Sequence, residues 1–136
     1  MNELPPVNRK LDQYEKMDIE KLGKAILVEP NYVARIELIS RLREKNHRFA
    51  IPRIEFALYD DNHEVIDEAA KALASMNHRD AISAIRRAIR MHLGADKIKL
   101  RSFDNDGIEN AIQKLSPSGN IVVSKLWAQA KQFTRH

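Results

Sequence analysis

The chain has 136 residues, 43% of them apolar, with a formal net charge of +4, a sequence pI near 9.4 and no cysteine. That length fits one continuous core and asks for no second domain. The missing thiols exclude disulfides, thiolate zinc sites and cysteine nucleophiles and fit a reducing cytoplasm, while four glycines, five prolines and 6% aromatics favour helix over an all-β sandwich.

In chain order, no apolar run of signal-peptide length comes after the first Met, and no stretch approaches the roughly 20 apolar residues that cross a bilayer. The chain is therefore expected to be soluble, neither exported nor membrane-bound. Residues 1–16, with Leu4-Pro5-Pro6-Val7, read as an irregular tail, and residues 17–136 as a single helical-repeat domain. The first apolar stripe is Ile19, Leu22, Ala25 and Ile26. Residues 31–58 then lie over residues 62–89 at a shift of 31, and ten of the 28 pairs are identical. Ordinary composition would give about two. The identities are Asn31/Asn62, Glu37/Glu68, Leu42/Leu73, Asn46/Asn77, His47/His78, Arg48/Arg79, Ala50/Ala81, Ile51/Ile82, Ile54/Ile85 and Ala57/Ala88.

Each unit reads as two helices with a short break. Val65, Ala69, Ala72, Leu73 and Met76 form one helical stripe behind a capping Asn62; Ala81, Ile82, Ile85, Ala88, Ile89 and Leu93 form the next. Asn77-His78 makes the turn between them, and in the earlier unit Pro52 falls in the first turn of its second helix, where a missing amide costs nothing. Past Gly94, residues 95–104 read as an extended connector or a short strand. Ile108, Ala111, Ile112 and Leu115 then give a helix, Ser116-Pro117-Ser118-Gly119 a break, and Val122, Val123, Leu126, Trp127, Ala130 and Phe133 a last stripe.

Residues 60–89 resemble a HEAT repeat, especially the short variety of phycobilisome-lyase-like HEAT proteins. Asp61, Val65, Ala69, Ala70, Leu73, Ala81, Ile82 and Ile85 match that pattern. Ile66 stands where the family carries Arg, and Arg35 and Pro52 restore the pattern in the unit before. The resemblance spans roughly residues 18–93 and implies an all-α solenoid of antiparallel helical hairpins, about three to four repeats with a degenerate C-terminal cap. It implies little about activity, because HEAT arrays serve as scaffolds, adaptors, lyase subunits and DNA-binding enzymes.

No spacing in the chain points to catalysis. Asp104-Asn105-Asp106-Gly107 has the look of a calcium loop, but counting from Ser102 places Gln113 where a bidentate Glu belongs, so it reads as a helix start. The five histidines make no zinc pattern, the glycines form no phosphate loop, and there is no serine elbow; no metal or cofactor is expected. The surface that stands out is basic. Residues 79–101 carry seven Lys/Arg against Asp80 and Asp96, and Arg79, Arg86, Arg87 and Arg90 fall within about 100° of one helix face. Arg53, Arg79, Arg86, Arg87, Arg90, Lys97, Lys99 and Arg101 are the candidate partner-binding residues.

These features point to a non-catalytic scaffold or adaptor that docks a protein partner on its arginine-rich face. A nucleic-acid binder that contacts phosphates through the same residues, by analogy with HEAT-like DNA glycosylases, is the alternative. An accessory subunit of an enzyme such as a chromophore lyase is a third. Val122, Val123, Trp127 and Phe133 offer a seam for an end-to-end homodimer, with Trp127 read first as core.

Overall fold

The computed structural model describes residues 9–94 and 105–131. Within them the protein is all-helical. Helix α1 spans Arg9–Val28, α2 Tyr32–Lys45, α3 Ala50–Phe56 with a 3₁₀ turn at Ala57–Tyr59, α4 His63–Ser75, α5 Arg79–Leu93, α6 Asn105–Gln113 and α7 Pro117–Ala130. The tail expected over residues 1–16 is corrected from Arg9 onward, because Arg9 to Lys16 holds good helix formers and neither Gly nor Pro. The connector or strand expected over 95–104, and with it Lys97, Lys99 and Arg101, lies outside the described residues. Helix α6 opens at Asn105, within the cluster read as a helix start. Ser116 and Pro117, read as a break, cap and open α7: the Ser116 hydroxyl accepts the Gly119 amide, and Pro117 takes a first-turn position that needs no amide donor.

The repeated residues make repeated hydrogen bonds. A Glu29 carboxylate oxygen accepts the Asn31 amide at 3.1 Å, and thirty-one places on the Asp60 carboxylate accepts the Asn62 amide at 2.9 Å. The Asn31 side-chain Oδ1 accepts the amides of Val33 and Ala34, at 2.9 and 3.4 Å; that of Asn62 accepts those of Glu64 and Val65, at 2.8 and 3.3 Å. Both asparagines thereby satisfy amides that an α-helix leaves orphaned at its start. Asn46 and Asn77 then turn the chain in the left-handed region, at φ 46° and 50°, a conformation that Asn tolerates better than branched residues do. Next, His47 Nδ1 accepts the Phe49 amide and His78 Nδ1 the Asp80 amide, each at 3.1 Å.

Packing keeps the same register. Leu42 and Leu73, Ala50 and Ala81, Ile54 and Ile85, Ala57 and Ala88, and Leu58 and Ile89 are all buried. Ile51 and Ile82 differ: Ile51 is buried and Ile82 only half so. Helix α2 packs on α4 and α3 on α5, so first helix meets first and second meets second; α1 lies against α2 and α3, and α7 against both α4 and α5. A polar clamp ties two loops together. The guanidinium of Arg35 binds both carboxylate oxygens of Asp60, at 3.0 and 3.1 Å, and donates to the carbonyls of Glu29 and Pro30. Both side chains of the pair are nearly buried, at 13% and 12% exposure, where a bidentate geometry is needed to offset desolvation.

Candidate interaction surface

The two units part company at their ends. In the first, α3 has only seven residues and yields through its 3₁₀ turn to Asp60, whose extended backbone leads into the Asn62 cap. In the second, the places of Asp60, Asp61 and Asn62 are taken by Met91, His92 and Leu93, so nothing stops the helix and α5 runs 15 residues to Gly94, at φ 81°. The extra turn overhangs the end of α3. There His92 Nε2 meets the Leu58 carbonyl at 2.8 Å, one of the carbonyls that a helix end leaves without a partner, and the His92 ring stacks on Tyr59 with centroids 5.8 Å apart.

Beside this junction lies Arg87 of the basic face. Arg87 binds Glu55 of α3 in a fork, at 3.0 and 2.9 Å, and that hydrogen bond pushes its already high pKa further up. The Tyr59 phenol is raised above its ordinary value, by burial first and by Glu55 second, with Arg87 acting the other way. Tyr59, Glu55, Arg87 and His92 therefore form one cluster across α3 and α5. Arg79 and Arg90 are exposed on the same helix as Arg87, and Arg86 is half-buried. Arg53 is held differently: its aliphatic stem crosses α1 at the buried Gly23, where a Cβ would come within 2.8 Å of Arg53 Cδ.

Apolar residues on this face escape a reading by charge. Phe56 is 58% exposed, Tyr59 42% and Met91 64%. Phe56 and Tyr59 fall thirty-one places before Arg87 and Arg90, so the first unit presents aromatics in the positions where the second presents arginines. The signal is present in the sequence: both lie off the α3 stripe of Ala50, Ile51, Ile54, Ala57 and Leu58, which is the buried one.

The first helices carry the opposite character. Glu64, Asp67 and Glu68 crowd α4. Lys71 sits 3.2 Å from Asp67 and 3.7 Å from Glu68; its hydrogen bond to Asp67, and then the two negative charges, raise its pKa. Glu37 pairs with Arg41 on α2 at 3.2 Å. An open groove of about 630 Å³ between α1 and α2 is lined by Asp18, Lys21, Leu22, Arg41, Glu44 and Lys45, with Asp18 and Lys45 paired at 3.2 Å. Its charges are of both signs. A second groove, between α2 and α4, is crossed by the Arg43 to Ser75 hydrogen bond.

The dimer seam drawn from sequence is corrected. Val123 is fully buried and Trp127 is 2% exposed, because α7 turns that stripe onto α4 and α5; Ile121 is the residue of α7 left 45% exposed. Phe133 lies outside the described residues. No helix among them is long and apolar enough to cross a membrane. No family model matches the chain, and neither a curated protein nor a solved structure matches it.

Proposed function

We propose that the chain is a non-catalytic interaction module of the cytoplasm, a HEAT-like solenoid of helical hairpins that docks a protein partner on the face formed by α3 and α5. The observation that carries this reading is the junction of α3 and α5, where exposed Tyr59 stacks on His92 beside the Glu55–Arg87 fork, on helices that also leave Phe56 and Met91 exposed. Binding surfaces depend on aromatic and arginine anchors more than on area, and a well-ordered aromatic beside a charged fork is the usual composition of such anchors. The matching hydrogen bonds of the two units support the repeat itself, since stacked hairpins need each unit to carry its own caps and turn.

Affinity capture from the native cell, with and without nuclease, coupled to mass spectrometry, tests the reading. A partner held by the wild-type chain, retained after nuclease and lost from Phe56→Ser or Arg90→Glu, is the expected result. Capture unaffected by either substitution overturns the assignment to this face. A second reading, nucleic-acid binding, draws on the same aromatics, because exposed rings among cations also stack bases. It requires oligonucleotide binding at about 50 mM salt that falls steeply as salt rises.

A further inference from the structure

We propose that the outward face of α1, a surface other than the α3 and α5 face, pairs with the same face of a second copy of this chain, the two helices running antiparallel about a two-fold axis level with Leu22. At 100° per residue, Met17, Glu20, Lys24, Leu27 and Val28 fall within a sector of about 100°. Ile19 and Ile26, on the other side of the helix, are buried in the core, where α1 meets α2 and α3. The outer sector is left in water: Met17 is 56% exposed, Leu27 67% and Val28 81%. With Tyr32 and Val33 of the first turn of α2, these make five of the nine large apolar side chains exposed among the described residues, so open apolar surface is concentrated on this helix and the turn that follows it.

The order of the side chains identifies the occupant. Met17, Glu20, Lys24 and Leu27 are spaced three, four and three apart, the spacing of a seam between two helices. Met17 and Leu27 stand equally far from Leu22, and so do Glu20 and Lys24. Reversing the helix about that point therefore sets Met17 of one copy against Leu27 of the other and Glu20 against Lys24, and each contact occurs twice. A two-fold interface requires this reciprocity, because one patch serves as both of its surfaces. A parallel pair would instead set Glu20 against Glu20 and Lys24 against Lys24, and a uniformly acidic or basic partner would satisfy only one of the two charges.

Both charges are open to a partner. Although four places apart on one helix, Glu20 and Lys24 form no hydrogen bond or ion pair within the chain among the described residues. Lys21, the other cation nearby, lines the groove toward α2 with Asp18 and Lys45 and adds no repulsion at the centre of the seam. The two central ion pairs set direction and register, while the apolar residues at both ends supply affinity. A pair of single helices buries less than the about 1,200 Å² of a standard stable interface, so association is weak, with a Kd on the order of 10–100 μM.

Sedimentation equilibrium on the full chain, over roughly 5 to 300 μM, tests the pairing. The wild type is expected to show a monomer–dimer equilibrium. Glu20→Lys and Lys24→Glu each place like charges in opposition and should each weaken it about tenfold or more. An equimolar mixture of these two variants should associate again, because every cation of one chain then faces an acid of the other. The double variant Glu20→Lys/Lys24→Glu should likewise regain wild-type affinity. Leu27→Ser should weaken pairing about tenfold in every background. Helicity and melting temperature should stay near those of the wild type throughout, since none of these side chains is buried. If a reversal unfolds the chain, Glu20→Gln and Lys24→Gln take its place and should each weaken pairing severalfold. A wild-type chain that stays monomeric over the whole range overturns the proposal. So does a dimer indifferent to both reversals, or folded variants whose mixture associates no better than either alone.

Discussion

Residues 29–58 and 60–89 begin alike and finish differently. The acid that accepts the amide two places on, the capping Asn, the left-handed Asn and the His that accepts the amide two places on recur at the same offsets with nearly the same distances. All of these contacts are local, so a copied stretch of sequence reproduces them wherever it stands. The ends are set by the residues immediately downstream. Where the next acid-x-Asn signal is present, the second helix stops after two turns or so; where Met91-His92-Leu93 replaces it, the helix continues and its last turn covers the neighbouring unit. Local chemistry repeats faithfully, whereas the surface made between units is free to diverge, and the proposed docking face lies in the divergent part.

Substitutions can break this parallel at graded cost. The largest effect is expected in the core. Leu42→Ala and Leu73→Ala should each cost about 2–5 kcal/mol, within about 1 kcal/mol of each other, while Ile51→Ala should cost clearly more than Ile82→Ala. Urea denaturation read by circular dichroism checks this, and equal losses at Ile51 and Ile82 would show that their different exposure has no energetic meaning. Next comes a contrast between non-equivalent partners. Asp60→Ala removes the forked partner of nearly buried Arg35 and the acceptor of the Asn62 amide, and should cost about 2–3 kcal/mol. At the matching place in the second unit, Met91→Ala should stay within about 0.5 kcal/mol, because that side chain is 64% exposed. Thermal melts of the two variants side by side are sufficient. The smallest effect should fall on the caps: Asn31→Ala and Asn62→Ala are each expected to cost about 1 kcal/mol, and by similar amounts, since each oxygen serves two amides. A twofold difference between them would mean that one helix start is held by something other than its cap.

The helical class and most helix positions are legible in the sequence because each signal is short-range. Asn62 before Val65, the paired His and Asn of the turns, and the period of the Ile and Ala stripes depend only on neighbours along the chain. The N-terminal boundary is misplaced by sequence reading because Pro5 and Pro6 weigh on residues that carry no helix breaker themselves. The apolar set of α7 is recognisable as a stripe, yet its use as a seam is wrong: whether such a stripe faces a partner or the protein's own α4 and α5 depends on packing, which periodicity does not encode. The candidate surface is half legible. The arginines of α5 stand out by count, but the exposed Tyr59 belongs to a different unit, and its stacking on His92 depends on α5 outrunning α3. Arg53 groups with the others by charge, although its stem is engaged against Gly23.

Helix α7 has a bearing on how the polypeptide emerges from the ribosome. Contacts among α1 to α5 join stretches close in sequence, so these layers can assemble progressively as synthesis proceeds. The outward sides of α4 and α5 stay wet until the 14 residues from Pro117 to Ala130 have been made and folded back over both. Completion of these layers thus waits on the synthesis of α7, and a nascent chain stalled before Ser116 would present bare apolar surface of α4 and α5 to chaperones.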